Sequence, residues 1–177
     1  MFPATFPAPA GFPGAARLLA PAQDCRFCHV SRVTVAGPLD ALEAWNAVMA
    51  RRLPGFALAV KIRDAISARF GVERIEGFSG AQRSHIAAGE KLDFFLVEEA
   101  RPERLLLTAR DRHLDVMTCV TATPVAGGTE VAITSSVVTH NLFGRLYMLP
   151  VGPAHRFIVR AMLWRLRRAR AEAAKPH

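Results

Sequence analysis

The last third of the chain constrains the fold most strongly, because two alternating segments lead directly into a long helical pattern. Residues 113–123 (HLDVMTCVTAT) and 130–140 (EVAITSSVVTH) alternate with period two, as strands with one buried face do. The intervening residues 124–128 (PVAGG) are typical of a turn. From Asn141 an apolar pattern at helical spacing continues to about residue 171. This order predicts an antiparallel hairpin followed by a long C-terminal helix.

The segments before the hairpin complete an α+β architecture. Residues 24–35 are rich in Phe, Val and Thr and form the first predicted strand. Two short helices are expected after it, over residues 38–52 and 55–71, and two further strands over 92–99 and 104–110. The helical stripes that predict these helices are Leu39, Leu42, Trp45 and Met49, then Ala59, Ile62, Ile66 and Phe70. Consecutive strands joined by short polar turns favour an antiparallel sheet over a parallel α/β alternation.

Two prolines interrupt the C-terminal helical pattern. Pro150 and Pro153 remove two backbone donors within one turn. We therefore expect a kink or a break in the helix near residues 150–153.

The chain is expected to form one domain with short appendages. Residues 1–21 hold five of the twelve prolines and predict an extended or mobile arm rich in Pro and Ala, of which Leu18 and Leu19 could dock on the domain. Residues 22–172 form the predicted domain, and residues 173–177 form a tail.

Charge and hydropathy exclude several classes of protein. No stretch approaches the 18 or more apolar residues of a membrane-spanning helix, and prolines interrupt any N-terminal signal sequence. We therefore expect a soluble protein of the cytoplasm, where its three cysteines stay reduced. The net charge of +8 is concentrated after His155, where six arginines and one lysine face Glu172 alone. Nucleotide-binding, zinc-protease and serine-hydrolase motifs do not occur.

Cys25, Cys28 and His29 match the C-x-x-C-H signature of covalent haem attachment. They lie in a strand pattern, however, where residues three apart point to opposite faces and lie roughly 10 Å apart. A disulfide needs Cα atoms within about 4.4–6.8 Å. We therefore expect no haem, no disulfide between these cysteines, no metal and no other cofactor.

Several segments together resemble an uncharacterised bacterial domain family, a domain of unknown function, near the START-related, birch-allergen-like (SRPBCC) superfamily. They are residues 56–72 (FALAVKIRDAISARFGV), 111–115 (DRHLD), 139–141 (THN), 144–147 (GRLY) and 153–159 (PAHRFIV). The resemblance covers roughly residues 22–170. It implies a helix-grip fold, in which a curved antiparallel sheet wraps around a long C-terminal helix and leaves an apolar cavity between them. It implies no catalytic residues.

A cavity of this kind would bind a small hydrophobic molecule, which is our leading hypothesis. One face of the predicted hairpin and one arc of the helix would line it, with hydroxyl groups to orient the ligand. The candidate residues are Leu114, Val116, Thr118, Val120, Val131, Ile133, Ser135, Val137, Thr139, Ile158, Met162 and Leu166. The alternative is that the same residues meet as a solid core.

Two other function classes remain open. Asp111, His113, Asp115 and His140 could serve as acid–base groups of a cyclase or hydrolase of the START-related type. The competing interpretation of these four residues is a solvated polar face near a hairpin. In the second class, the chain is an interaction module in which Arg156, Arg160 and Arg167 line the basic side of the helix. These arginines suit peripheral contact with a membrane surface. Binding to nucleic acid is not expected, because few aromatic side chains that could stack on bases lie among them. The oligomeric state is not predicted.

Overall fold

The computed structural model describes residues 5–50 and 82–174. In chain order its strands and α-helices are β1 (Phe6–Pro7), β2 (Arg17–Leu18), β3 (Phe27–Ala36), α1 (Ala41–Ala50), β4 (Lys91–Leu92), β5 (Phe95–Arg101), β6 (Arg104–Arg110), β7 (Leu114–Val125), β8 (Gly128–Thr139) and α2 (Leu142–Ala173), and a 3-10 turn, Ala22–Asp24, precedes β3. The second predicted helix, over residues 55–71, lies outside the described residues.

Six strands form one antiparallel sheet in the order β3-β8-β7-β6-β5-β4. Strands β7 and β8 are the predicted hairpin, and their register places Val120 opposite Ile133 and Thr118 opposite Ser135. Gly127 and Gly128 form the turn with φ of 83° and 157°, a backbone conformation that favours glycine. The sheet of the described residues is open, with β3 and β4 at its edges, and the predicted α+β class is confirmed.

The two faces of the sheet differ in what covers them. The inner face, which we define as the side facing α1 and α2, carries the largest hydrophobic core of the described residues. Val97, Leu105, Leu107 and Val120 contribute to this core and are fully buried. Their alternation along the strands follows from the pleat, which sends successive side chains to opposite faces.

Helix α1 covers the inner face over the middle of the sheet. It begins after a reciprocal cap, in which the Glu43 amide donates to Asp40 at 2.7 Å and the Asp40 amide donates to Glu43 at 3.0 Å. Trp45 is buried with its ring edge-on to Phe95, 5.8 Å between centroids. This helix confirms the first of the two helices predicted after the first strand.

Helix α2 runs as one element through both Pro150 and Pro153, which excludes the predicted break, whereas the alternative of a kink stays a prediction. The helix packs mainly along β3 and buries Met148, Gly152 and Val159 in the region of the prolines. At Gly152 a Cβ would lie 3.2 Å from ring carbons of Phe27, so the absence of a side chain lets the helix approach the strand. Apolar burial on both sides of the prolines offsets the backbone hydrogen bonds that they remove.

The outer face, opposite to the helices, is covered by the N-terminal arm. Strands β1 and β2 pair as Phe6 with Leu18 and Pro7 with Arg17. Ala16 and Leu18 are fully buried, and the Leu19 amide donates to the Ser136 hydroxyl at 3.0 Å. The rest of the arm also contacts the sheet. Ala8 and Phe12 pack against the cluster of Leu106, Met117 and Cys119. The Arg104 side chain donates a hydrogen bond to the Ala15 carbonyl, and the Arg32 side chain donates one to the Gly11 carbonyl. Docking therefore extends beyond the two leucines, and the centre of the outer face is not a solvated surface.

Candidate functional site

The predicted pocket residues of β7 and β8 all lie on the inner face. They pair across the two strands as Leu114 with Thr139, Val116 with Val137, Thr118 with Ser135 and Val120 with Ile133, and Val131 pairs with Ala122. The residues most deeply packed in the core with α1 are Val120, Val131, Ile133, Met162 and Leu166. Val137 is buried against Phe27 and Met148. Leu114, Val116, Thr139 and Ile158 are only half-buried. One end of the predicted set is thus solid core, and the other end keeps accessible surface.

A histidine of α2 reaches into this otherwise apolar layer. The Nε2 atom of His155 lies 2.9 Å from the hydroxyl oxygen of Ser135, and its ring is edge-on to Phe27 at 5.7 Å. Burial, with a smaller contribution from His29, lowers the pKa of His155 to about 4. The imidazole is therefore neutral at pH 7 and offers one donor and one acceptor. Thr118, across from Ser135, adds a second hydroxyl to the same face.

A second imidazole, that of His29, also lies beside Phe27. The ring of His29 is 6.2 Å from that of Phe27, and its Nε2 lies 3.0 Å from the Ser31 hydroxyl. Burial lowers the pKa of His29, and the positive charge of Arg156 lowers it further. The Arg156 guanidinium lies over the Phe27 ring at 5.3 Å. These groups can orient the polar part of a ligand, because neutral imidazoles and hydroxyls form hydrogen bonds without requiring an opposite charge.

His155 was missed as a site residue, although the sequence carries a signal for it. It precedes Met162 by seven residues and Leu166 by eleven, so all three share one side of a helix. A polar residue that helical spacing places among apolar residues is a candidate site residue, and His155 has this position.

The four predicted acid–base residues have separate local contacts. Asp111 accepts hydrogen bonds from the amides of His113 at 2.6 Å and Leu114 at 3.0 Å, which closes the turn before β7. The His113 ring contacts the Asn141 side chain at 2.9 Å and lies 4.7 Å from the Phe143 ring. Asn141 in turn caps α2 by accepting from the Gly144 amide at 3.0 Å. Asp111 therefore stabilises the turn before β7, and His113 connects that turn to the start of the helix.

Asp115 and His140 form a pair at the same end of the sheet, with 3.2 Å between Oδ1 and Nε2. Asp115 has the parity of Met117 and Cys119, so it belongs to the outer face and not to the layer under α2. The His140 side chain is 40% exposed. The contacts of these four residues give each of them a structural role.

The cysteine motif has a different local structure from the one predicted. Cys25 precedes β3 and only Cys28 lies within the strand, so the prediction of a strand from residue 24 is wrong at its start. Both are free thiols, and burial raises the pKa of each. Cys119, buried under the N-terminal arm, has its pKa raised to about 11. All three are thus thiols and not thiolates at neutral pH. The residues that the structure describes contain no cluster of three or more His, Cys, Asp or Glu side chains suited to a metal.

An open groove of about 590 Å³ lies at the β3 edge of the sheet, and none of the predicted pocket residues lines it. It is lined by residues 32–36, Gly127, Glu130, Arg167 and Ala171. Next to this groove, the Arg170 side chain donates hydrogen bonds to the carbonyls of Ala36 at 3.2 Å and Pro38 at 2.7 Å, which ties α2 to the end of β3.

Comparisons with known proteins place the chain in a family. No curated protein matches it. The solved structure of an uncharacterised protein from Rhizobium leguminosarum is similar, with a TM-score of 0.36 and 14% identity over 78% of this chain and 94% of that one. That similarity is too low to establish a shared fold. The model of the DUF2867 family, described as proteins of unknown function, matches residues 21–162, and the chain therefore belongs to this family.

Proposed function

We propose that the protein binds a small hydrophobic molecule between the inner face of the sheet and α2, as a cytoplasmic domain of the helix-grip type. The support is a sheet with a largely apolar inner face and a 32-residue helix that lies along its β3 edge. Relationship to the START-like superfamily is part of the same proposal.

The Ser135–His155 hydrogen bond carries the proposal. The buried Ser135 hydroxyl and the largely buried His155 imidazole lose hydration in this layer, a cost that a core without a ligand has no reason to carry. A site for a hydrophobic ligand does need a few polar groups that set its orientation. His155, Ser135 and Thr118 supply these groups, while the half-buried Leu114, Val116 and Ile158 supply apolar surface.

The acid–base alternative has no comparable support. Asp111 caps a turn, His113 contacts the cap of α2, and Asp115 pairs with His140 on the outer side. None of these contacts directs a carboxylate toward Ser135 and His155.

Binding of a neutral naphthylamine dye, measured by fluorescence titration, tests the proposal together with native mass spectrometry of the freshly purified chain. We expect saturable dye binding, or a co-purifying lipophilic compound. Val116→Trp should fill the half-buried end of the layer and abolish dye binding. Val125→Trp is the matched control, because Val125 lies on the same strand at the exposed turn end. It should bind the dye as the parent chain does.

The two variants also separate loss of folding from loss of the site. Circular dichroism must show the same secondary structure in both. If the parent chain binds no dye saturably and carries no compound, or if both tryptophan variants bind equally well, the proposal is wrong.

A further inference from the structure

The outward side of α2 exposes an unusual set of large apolar side chains. We call them the apolar ridge: Leu142, Leu146, Leu149, Phe157 and Trp164. Phe157 is 72% exposed and Leu142 is 69% exposed. At about 100° per residue, the five side chains fall within an arc of roughly 80°. This arc is opposite to the side that carries Met162 and Leu166, so the ridge is separate from the proposed ligand site.

Exposed arginines lie between and beside the ridge side chains. At about 100° per residue, Arg160 falls within the arc of the ridge, Arg167 lies at its edge, and Arg145, Arg156 and Arg168 lie just outside it. Glu172 is the one acidic residue of α2 and lies at its last turn. The Arg168 guanidinium stacks over the Trp164 ring at 4.9 Å, which joins the basic and apolar parts of the surface.

We propose that the apolar ridge docks on the surface of an anionic phospholipid bilayer, with α2 parallel to the membrane plane. The ridge rises along the helix for about 33 Å, and its Leu, Phe and Trp side chains enter the boundary between headgroups and acyl chains. The arginines between and beside these side chains extend their guanidinium groups to the level of the lipid phosphates. Among the described residues no helix is long and apolar enough to cross a membrane, and this proposal concerns attachment to one surface only.

Charge complementarity favours a bilayer over the other occupants of such a face. In a two-fold pairing with a second copy, arginines of one ridge would meet arginines of the other, and α2 has only Glu172 to neutralise them. A nucleic acid would pair with the arginines but would leave Leu142, Leu146 and Leu149 exposed to water. An anionic bilayer satisfies both the charged and the apolar part.

Co-sedimentation of the full chain with vesicles tests the proposal. One set contains phosphatidylcholine alone, and the other contains about one third phosphatidylglycerol. We expect binding to the anionic vesicles, weakened by added salt because charge attraction is screened. The double variant Phe157→Ser with Trp164→Ser should bind about tenfold more weakly, since two side chains no longer enter the lipid. Leu96→Ser with Val125→Ser is the matched control, because both side chains are 40% exposed on the sheet. It should bind as the parent chain does.

Tryptophan fluorescence of the unsubstituted chain gives a second measurement that does not depend on the stability of a variant. Trp45 is buried and Trp164 is exposed, so a shift to shorter wavelength on adding anionic vesicles should come from Trp164 and vanish in Trp164→Phe. Absence of binding to anionic vesicles, or equal binding by the ridge variant, overturns the proposal. A concentration-dependent dimer that Phe157→Ser dissociates would assign the ridge to a second copy. RNA binding that survives both serine substitutions, without vesicle binding, would assign the arginines to nucleic acid.

Discussion

Helix α2 starts in close contact with the turn before β7, and Gly144→Ala tests how much stability depends on that contact. A Cβ built on Gly144 falls 3.2 Å from the carbonyl carbon of His113 and 3.4 Å from the Cβ of Thr139. It also falls well inside van der Waals contact with the His113 carbonyl oxygen, which is backbone and cannot rotate away. That oxygen accepts a hydrogen bond from the His140 amide at 2.8 Å. The added methyl group therefore displaces both the helix start and the end of β8.

The expected loss of stability is about 2 kcal/mol. Overpacking costs about 1–3 kcal/mol, and weakening the His113–His140 hydrogen bond costs about 1 kcal/mol. The greater helix propensity of alanine relative to glycine offsets at most about 1 kcal/mol of this loss. With a urea m-value near 2 kcal/mol/M, the unfolding midpoint should fall by about 1 M.

Two other glycines serve as controls in the same urea titration. At Gly152 the Cβ would contact ring carbons of Phe27 at 3.2 Å, which need to move by only a few tenths of an ångström, so Gly152→Ala should lower the midpoint less than Gly144→Ala does. At Gly14 a Cβ would have nothing within 4 Å, and Gly14→Ala should leave the midpoint unchanged. A Gly144→Ala midpoint equal to that of Gly152→Ala would refute the reasoning.

Three further predictions concern named hydrogen bonds and one titrating group. Asn141→Ala should lower the free energy of unfolding by about 1–2 kcal/mol, since Asn141 accepts from the Gly144 amide and donates to the Arg112 carbonyl at 3.1 Å; an unchanged urea midpoint would contradict this role. Folding lowers the pKa of His155 from 6.5 to about 4, so the unfolded chain binds the proton more tightly than the folded chain. The free energy of unfolding should therefore fall by up to about 3 kcal/mol as the pH drops from about 6.5 to about 4. His155→Gln should remove this part of the pH dependence in urea titrations, and a slope identical to that of the parent chain would count against a buried neutral imidazole. The Thr134 hydroxyl is buried and has no hydrogen-bond partner among residues 5–50 and 82–174, so Thr134→Val should be neutral or stabilise by about 1 kcal/mol. Ser136→Ala, which loses the hydrogen bond from the Leu19 amide, should destabilise by about 1 kcal/mol, and equal destabilisation by both substitutions in thermal unfolding would show that Thr134 does have a partner.

Much of the sheet could be predicted because its signals are local. Alternation with period two places Val116, Val120, Ile133 and Val137 on one face, and their register in β7 and β8 agrees with that prediction. The start of α2 is similarly encoded, since an Asn side chain satisfies an amide that the first helical turn leaves free.

Part of the candidate site could be predicted for the same reason. Helical spacing places Met162 and Leu166 on the buried side of α2, and both are in the core. The same spacing also places His155 there, but its role depends on Ser135, twenty residues earlier in the chain. A pattern within one helix does not contain that contact.

By itself, the sequence determined which residues share a face, the α+β class and the position of the long C-terminal helix. Only the tertiary structure decided what covers each face. The proline-rich arm docks on Leu106, Met117 and Cys119, and α2 continues through Pro150 and Pro153. Both outcomes depend on apolar burial between residues far apart in the chain. A proline inside a helix costs a few kcal/mol of helix stability, and the helix persists where apolar burial on both sides of the proline contributes as much.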